Sequence, residues 1–210
     1  MVKNNDPSTP RPTLRGRHVH LVPLEHAHTE ALFALAQHED IWRYFAYPLD
    51  TLEAMQRWVT EALRDADARV ALPFTLFASD GQGDDAGDHG IIAGSTRFGA
   101  MVLDHARVEI GWTFVGRAWQ RTAVNTEAKL LLLGYAFEVL GCRRVELKTD
   151  ANNARSRAAI QRLGASEEGT LRKHMRYPDG RPRDTVYYSI VDDEWPKVRA
   201  GLEARLSRST

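Results

Sequence analysis

Apolar positions along the chain fall into two rhythms, period two and period three-to-four, and the switches between them mark the elements. His18-Val19-His20-Leu21-Val22-Pro23-Leu24 alternates as a first strand, with Pro23 placing that end at an edge. Within Glu25–Gln37, Ala27, Leu32, Leu35 and Ala36 recur at helical spacing. The aromatic run His38–Pro48 reads as a loop or short helix, because its closing proline disfavours helix just before it. Asp50-Thr51-Leu52-Glu53 reads as an N-cap followed by its reciprocal acid, and Met55, Trp58, Val59, Ala62 and Leu63 form the buried stripe of a second helix.

Three period-two segments follow, Leu72–Ser79, Ile91–Val102 and Arg107–Val115, and they predict an antiparallel meander. Between the first two, the acidic, glycine-rich Asp80–Gly90 lacks the closing glutamate of a helix-loop-helix calcium site, so it reads as a solvated turn. A long helix opens within Trp119–Ala128 and stops at Gly141; Arg143–Thr149 alternates as a strand, and Asn153–Leu163 is a short helix closed by Gly164. Glu168–Arg176 and Asp184–Val191, joined through Tyr177-Pro178-Asp179-Gly180, predict a hairpin, and a charged helix starts at Glu194. The strands flanking the long helix should be parallel neighbours, since a strand-helix-strand crossover joins strands that way.

Length changes the picture by allowing one full core: 210 residues predict a single domain over 14–195, a flexible tail over 1–13 and a C-terminal helix or tail over 196–210. Twenty-eight Lys plus Arg balance 28 Asp plus Glu, so global charge points to neither nucleic acid nor an anionic membrane, and any polyanion must be met locally. The single Cys142 reads as a small buried side chain and fits a reducing compartment. No apolar run approaches the ~20 residues that span a bilayer, so a cytoplasmic protein is expected.

Candidate chemistry gathers where the third meander strand gives way to the long helix. A helix mouth there offers unpaired N–H groups and partial positive charge, suited to a phosphate or pyrophosphate, although an ordinary helix start with an exposed Arg121 reads the same way. Taken with that element order, Glu109-Ile110-Gly111-Trp112, Gln120 through Ala128, Asn153 through Gly164 and the closing Asp184–Ile190 resemble the GNAT superfamily of acyl-CoA-dependent N-acyltransferases, specifically its RimJ/RimL branch. The resemblance implies an α/β (α+β) GNAT fold, with a central mixed, strongly twisted sheet of about seven strands flanked by helices. It also implies acetyl-CoA as acyl donor, no metal, and a primary amine as acceptor, either a peptide N-terminus or a small molecule. A homodimer is left open.

Residue by residue, the resemblance assigns the pyrophosphate to Gln120, Arg121, Thr122, Ala123, Val124, Asn125 and Thr126, and the pantetheine arm to the strand edge Trp112, Thr113, Phe114 and Val115. Asn153 reaches the cofactor in this reading, and Ser156 hydrogen-bonds the departing thiolate; a helix cap and a structural serine are the alternatives. Glu109 is the base, acting through water, against a glutamate paired with an arginine such as Arg97. Trp42, Tyr44, Phe45 and Tyr47 are candidates for the acceptor groove, with core packing as their other reading. Arg97, Arg172 and Arg176 are candidates for drawing in an acidic acceptor, with plain solvated side chains as their other reading.

Two departures stand out. Ala123 and Asn125 occupy positions where the family's loop carries small residues, usually glycine, and Leu171–Arg176 lacks the second acid of RimL-like proteins, with His174 as either its substitute or a bystander among basic residues. At pH 7 an α-amine with pKa near 8 is roughly one-tenth neutral and a lysine amine about one part in a few thousand, so a site without a strong base suits α-amines or small amines of low pKa. A noncatalytic acyl-CoA-binding module, a transferase using succinyl-CoA and a nucleotide-binding protein remain as alternatives.

Overall fold

The computed structural model describes residues 11–45, 49–79 and 90–208. In chain order the strands are β1 (Leu14–Arg15), β2 (Val19–Pro23), β3 (Leu72–Ala78), β4 (Ile91–Val102), β5 (Arg107–Val115), β6 (Arg144–Asp150), β7 (Ser166–Arg176) and β8 (Pro182–Val191). The helices are α1 (Thr29–Leu35), α2 (Glu39–Trp42), α3 (Leu52–Asp67), α4 (Ala123–Gly134), α5 (Ala154–Leu163) and α6 (Trp195–Leu206). One eight-stranded sheet runs in the order β1-β2-β3-β4-β5-β6-β8-β7. That exceeds the expected seven by β1, whose two residues the pattern gave no reason to separate from the tail.

Every neighbouring pair is antiparallel except β5 and β6, which α4 connects by the expected crossover. The terminal hairpin forms, but its second strand lies inside its first: β8 pairs with β6 and leaves β7 at the edge, almost wholly exposed. The apolar content explains this, since Val186, Tyr188 and Ile190 are buried whereas β7 has little to bury. Helix α3 is capped by the Thr51 hydroxyl, which accepts from the Ala54 N–H, one residue later than the expected start at Asp50. Helix α4 passes at Tyr135 into a π-helical turn that ends before Gly141, whose φ of +67° lets the chain reverse.

Two cores sandwich the sheet. Val108, Ile110, Val145 and Leu147 pack with Val124, Ala128 and Leu132 of α4, Ile160 and Leu163 of α5, and Leu202 of α6. On the other face, Leu32, Trp42, Met55, Trp58 and Val59 of α1, α2 and α3 pack with Phe114. Buried Glu127 of α4 accepts from the backbone N–H groups of Arg17, His18 and Val19 at 3.0, 2.5 and 2.9 Å, which ties the first hairpin to the helix. Cys142 is buried and free, and burial pushes its thiol up to about 11, which disfavours the thiolate. The acidic loop 80–89 and Tyr47 lie outside the described residues. No helix among those residues is long and apolar enough to cross a membrane.

Candidate active site

The site begins with a fault in the sheet. Val108 and Ile110 point to the α4 side, yet Phe114 points to the α1–α3 side and Val115 back to α4, so the alternation slips by one residue between them. The slip is a β-bulge: opposite β4, Arg97 faces Gly111 and Ser95 faces Phe114, which leaves Trp112 and Thr113 opposite one residue. Trp112 takes φ of +50°, a left-handed conformation costing a bulky residue on the order of 1 kcal/mol. Beyond the bulge β5 stays with β4 and leaves β6, with which it pairs only at Arg107, Val108 and Glu109. The slit between the parted strands leaves the β6-facing edge of Trp112–Val115 without a strand partner.

A cavity of about 1540 Å³ fills this slit and continues to the mouth of α4. At the mouth, the first-turn N–H groups Ala123–Thr126 have no acceptor inside the helix, and the Thr122 hydroxyl caps only that of Val124, at 3.3 Å. The missing glycines cost nothing at their own positions, because Ala123 and Asn125 are already in the helix. The left-handed residue is Arg121, with φ of +63°. Arg155 of α5 donates to Gln120 Oε1 (3.1 Å) and to the Asp40 backbone oxygen (3.3 Å), and Arg117 pairs with the Asp40 carboxylate at 2.8 Å. These contacts join α2, the turn before α4 and α5 across the mouth. The Arg117 hydrogen bond holds the Asp40 carboxyl below its usual value.

Inside, the slit has two differently furnished faces. On the α1–α3 side Glu109 is 5% exposed at its side chain and pairs with Lys148 of β6 at 2.8 Å. Burial raises the Glu109 pKa, with the Lys148 ammonium opposing that rise. Lys148 also lies 5.8 and 5.9 Å from the Trp112 and Tyr187 ring centres. On the α4 side Lys129 donates to the hydroxyls of Thr113 (2.9 Å) and Thr96 (3.4 Å), and burial lowers its ammonium to about 7. Asn153 caps α5 through Oδ1, which accepts from the Ser156 N–H at 3.0 Å, and both residues line the cavity.

Among the described residues nine basic side chains line the cavity, Arg117, Arg121, Lys129, Lys148, Arg155, Arg162, Arg183, Arg205 and Arg208, against two carboxylates, Asp40 and Glu109. Helix α6 begins beside the far end of α4, where Trp195 donates to Glu138, and its last turn brings Arg205 back to the cavity. In a chain of zero formal net charge this is a strong local concentration of positive field.

The structure brings most of the sequence candidates together. Glu109, Trp112 through Val115, Gln120 through Thr126, Asn153, Ser156, Tyr44 and Phe45 all line the cavity, although the Phe114 ring itself is core. Five candidates do not join them. Trp42 is 6% exposed, packed edge-on against Phe45 and Phe114, and donates to the Ala36 oxygen. Arg97 is 4% exposed, with its guanidinium 4.8 and 5.0 Å from the ring centres of Trp58 and Trp112; it is neither a cavity residue nor the partner of Glu109. Arg172, His174 and Arg176 also lie outside the lining, since β7 is the exposed edge. Sequence reasoning missed Lys129, Lys148 and Arg183. Lys129 had a readable signal, a lone cation before the apolar run Leu130–Leu133; Lys148 and Arg183 had none before the strand order was known.

A sheet parted at a bulge, with a helix mouth and a cationic cavity at the parting, is the architecture of an acyl-CoA-dependent acyltransferase. The chain belongs to the family of the acetyltransferase (GNAT) domain, whose model matches residues 18–166, and it is an N-acetyltransferase that uses acetyl-CoA as donor. It is similar to a GCN5-related N-acetyltransferase from Brucella melitensis, with 30% identity and a TM-score of 0.82 over 95% of this chain and 87% of the other. The N-acetyltransferase YoaA of Bacillus subtilis (strain 168), itself uncharacterized, is 28% identical over 166 residues, 77% of this chain and 86% of YoaA. YdaF of the same organism, named a ribosomal N-acetyltransferase on a provisional basis, is 36% identical over 89 residues, 42% of this chain and 48% of YdaF.

Proposed function

We propose that this is a cytoplasmic N-acetyltransferase of the RimJ/RimL-like branch, acetylating a peptide N-terminus or a small amine of low pKa, with its two substrates meeting in the slit from opposite faces of the sheet. The observation that carries this is the parting of β5 from β6 inside a cavity lined by nine cations. The ribosomal assignment of YdaF supports the branch.

On the α4 side, the amides of Ala123–Thr126 and the Arg121 side chain hold the pyrophosphate, and the Trp112–Val115 edge pairs with the pantetheine amides. The donor supplies an acetyl thioester, which a neutral amine attacks directly. Ser156 steadies the departing sulfur by a hydrogen bond, and Asn153 sets the start of α5 that presents Ser156. From the other side the amine enters past Tyr44 and Phe45. Glu109 takes its proton through a water, and the raised pKa makes this carboxylate a better base than an exposed one.

The test is release of free thiol from acetyl-CoA across a panel of peptides and small amines, with succinyl-CoA as a rival donor. Turnover with α-amines above lysine side chains is the expected result. Tight donor binding without turnover on any acceptor would reduce the protein to a binding module.

A further inference from the structure

Lys129 is a buried cation that the scheme above does not use. It is 6% exposed and lines the cavity, and among the described residues no carboxylate lies within 4.0 Å of its amine. Its partners are two hydroxyls, Thr113 Oγ1 at 2.9 Å and Thr96 Oγ1 at 3.4 Å, which already bond one another at 2.7 Å. An ammonium has three donors and no acceptor, and even the neutral amine keeps two N–H groups. Lysine is almost never fully buried without a counter-charge, because removing the ion from water costs several kcal/mol. Neither threonine needs Lys129 for its own hydrogen bond, so local structure does not account for the expense.

Position along the helix says what the amine faces. Lys129 stands six residues after Ala123, which at 1.5 Å per residue is ~9 Å down the axis from the helix mouth. The side chain leans back toward the mouth, but its amine is held at the strand by Thr113 Oγ1 at 2.9 Å and not at the first turn. It is level with Thr113, within the unpaired edge of β5. A pantetheine arm on that edge carries two secondary amides, and a strand edge satisfies only the groups turned toward it. A carbonyl turned toward α4 would lie against the buried Lys129 amine, where an unmet acceptor is costly.

We infer that Lys129 is a donor-binding residue whose Nζ hydrogen-bonds an amide carbonyl of the pantetheine arm, so that it reads the arm and not the phosphates. This rests on the cavity being the acetyl-CoA site. Because the amine donates in either protonation state, the contact survives on both sides of pH 7.

Calorimetry with CoA and with 3′-phosphoadenosine 5′-diphosphate, the same nucleotide without the arm, tests the inference on the wild type, Lys129→Met and Lys129→Gln. The expected result is CoA binding about tenfold or more weaker in Lys129→Met, unchanged nucleotide binding, and partial rescue by Lys129→Gln, which keeps an N–H donor. Equal weakening of both ligands, or CoA binding at wild-type strength, would overturn it while leaving the acetyl-CoA site standing. A wild type that binds neither ligand overturns the site assignment and this inference together. If Lys129→Met does not fold, the wild type decides through the Lys129 Nζ resonance: it should move with CoA and stay with the nucleotide, and an unmoved resonance overturns the contact.

Discussion

Two lysines enter the slit from opposite faces of the sheet, and the difference in their surroundings that matters most is a carboxylate. Lys148 meets Glu109 at 2.8 Å and two aromatic rings, whereas among the described residues Lys129 meets the hydroxyls of Thr96 and Thr113 and no carboxylate. Coulomb attraction repays part of the desolvation on the first side, while on the second the ammonium falls to about 7. The difference separates two kinds of chemistry. A compensated ion pair can tune a base, and an uncompensated donor is suited to a neutral ligand group.

The sharpest way to break the comparison is at the carboxylate. Glu109→Gln should lower turnover by ~10²–10⁴ and flatten the rising alkaline limb of the rate profile, the usual cost of losing a general base. An unaltered pH profile would remove Glu109 from that role. Lys148→Met acts on the same limb: without the ammonium that opposes burial, the Glu109 pKa rises further and the limb moves to higher pH. If the limb moved down instead, the pair would not be coupled as its geometry implies.

Next in size is stability. The Lys129 pKa is depressed from 10.5 to about 7, so below pH 7 the folded protein carries the full cost of a buried ammonium. As pH rises from about 7 toward 10.5, the folded amine is neutral while the unfolded one still binds a proton, and the wild type gains stability. Each tenfold step in acidity is worth about 1.4 kcal/mol, so Lys129→Met should be more stable than wild type by a few kcal/mol at pH 6, the gain shrinking toward pH 10. Urea unfolding at both pH values measures this, and a destabilised Lys129→Met would show that the two threonines depend on the amine.

The smallest expected effects lie on α5, outside the lysine pair. Asn153→Ala removes a cap worth ~1 kcal/mol and should also weaken donor binding, whereas Ser156→Ala should lower kcat more than affinity. Thermal unfolding together with donor Kd and kcat for both variants separates them. Unchanged kinetics in both would take that helix out of the site.

Much of the scaffold was legible because burial writes period two into strands and period three-to-four into helices. Ile91–Val102 and Arg107–Val115 emerge with their predicted bounds, and β5 and β6 are parallel because a crossover helix joins them. Family resemblance, carried by short stretches around Glu109, Gln120 and Asn153, placed most of the candidate residues in one cavity. Arg97 and Trp42 escaped it for a common reason. An arginine in a polar-apolar strand and a tryptophan in a loop or short helix look equally available to solvent until the elements that cover them are in place.

The chain by itself therefore determined its elements, their order, the crossover and the helix mouth, since each depends on neighbours a few residues apart. The tertiary structure alone decided the insertion of β8 beside β6, the bulge at Trp112 that opens the slit, the left-handed turn at Arg121, and which lysine finds a carboxylate. Those are matters of register and of contact between distant segments. A shift of one residue in pairing sends a side chain to the other face of the sheet, and local pattern carries no information about a partner tens of residues away.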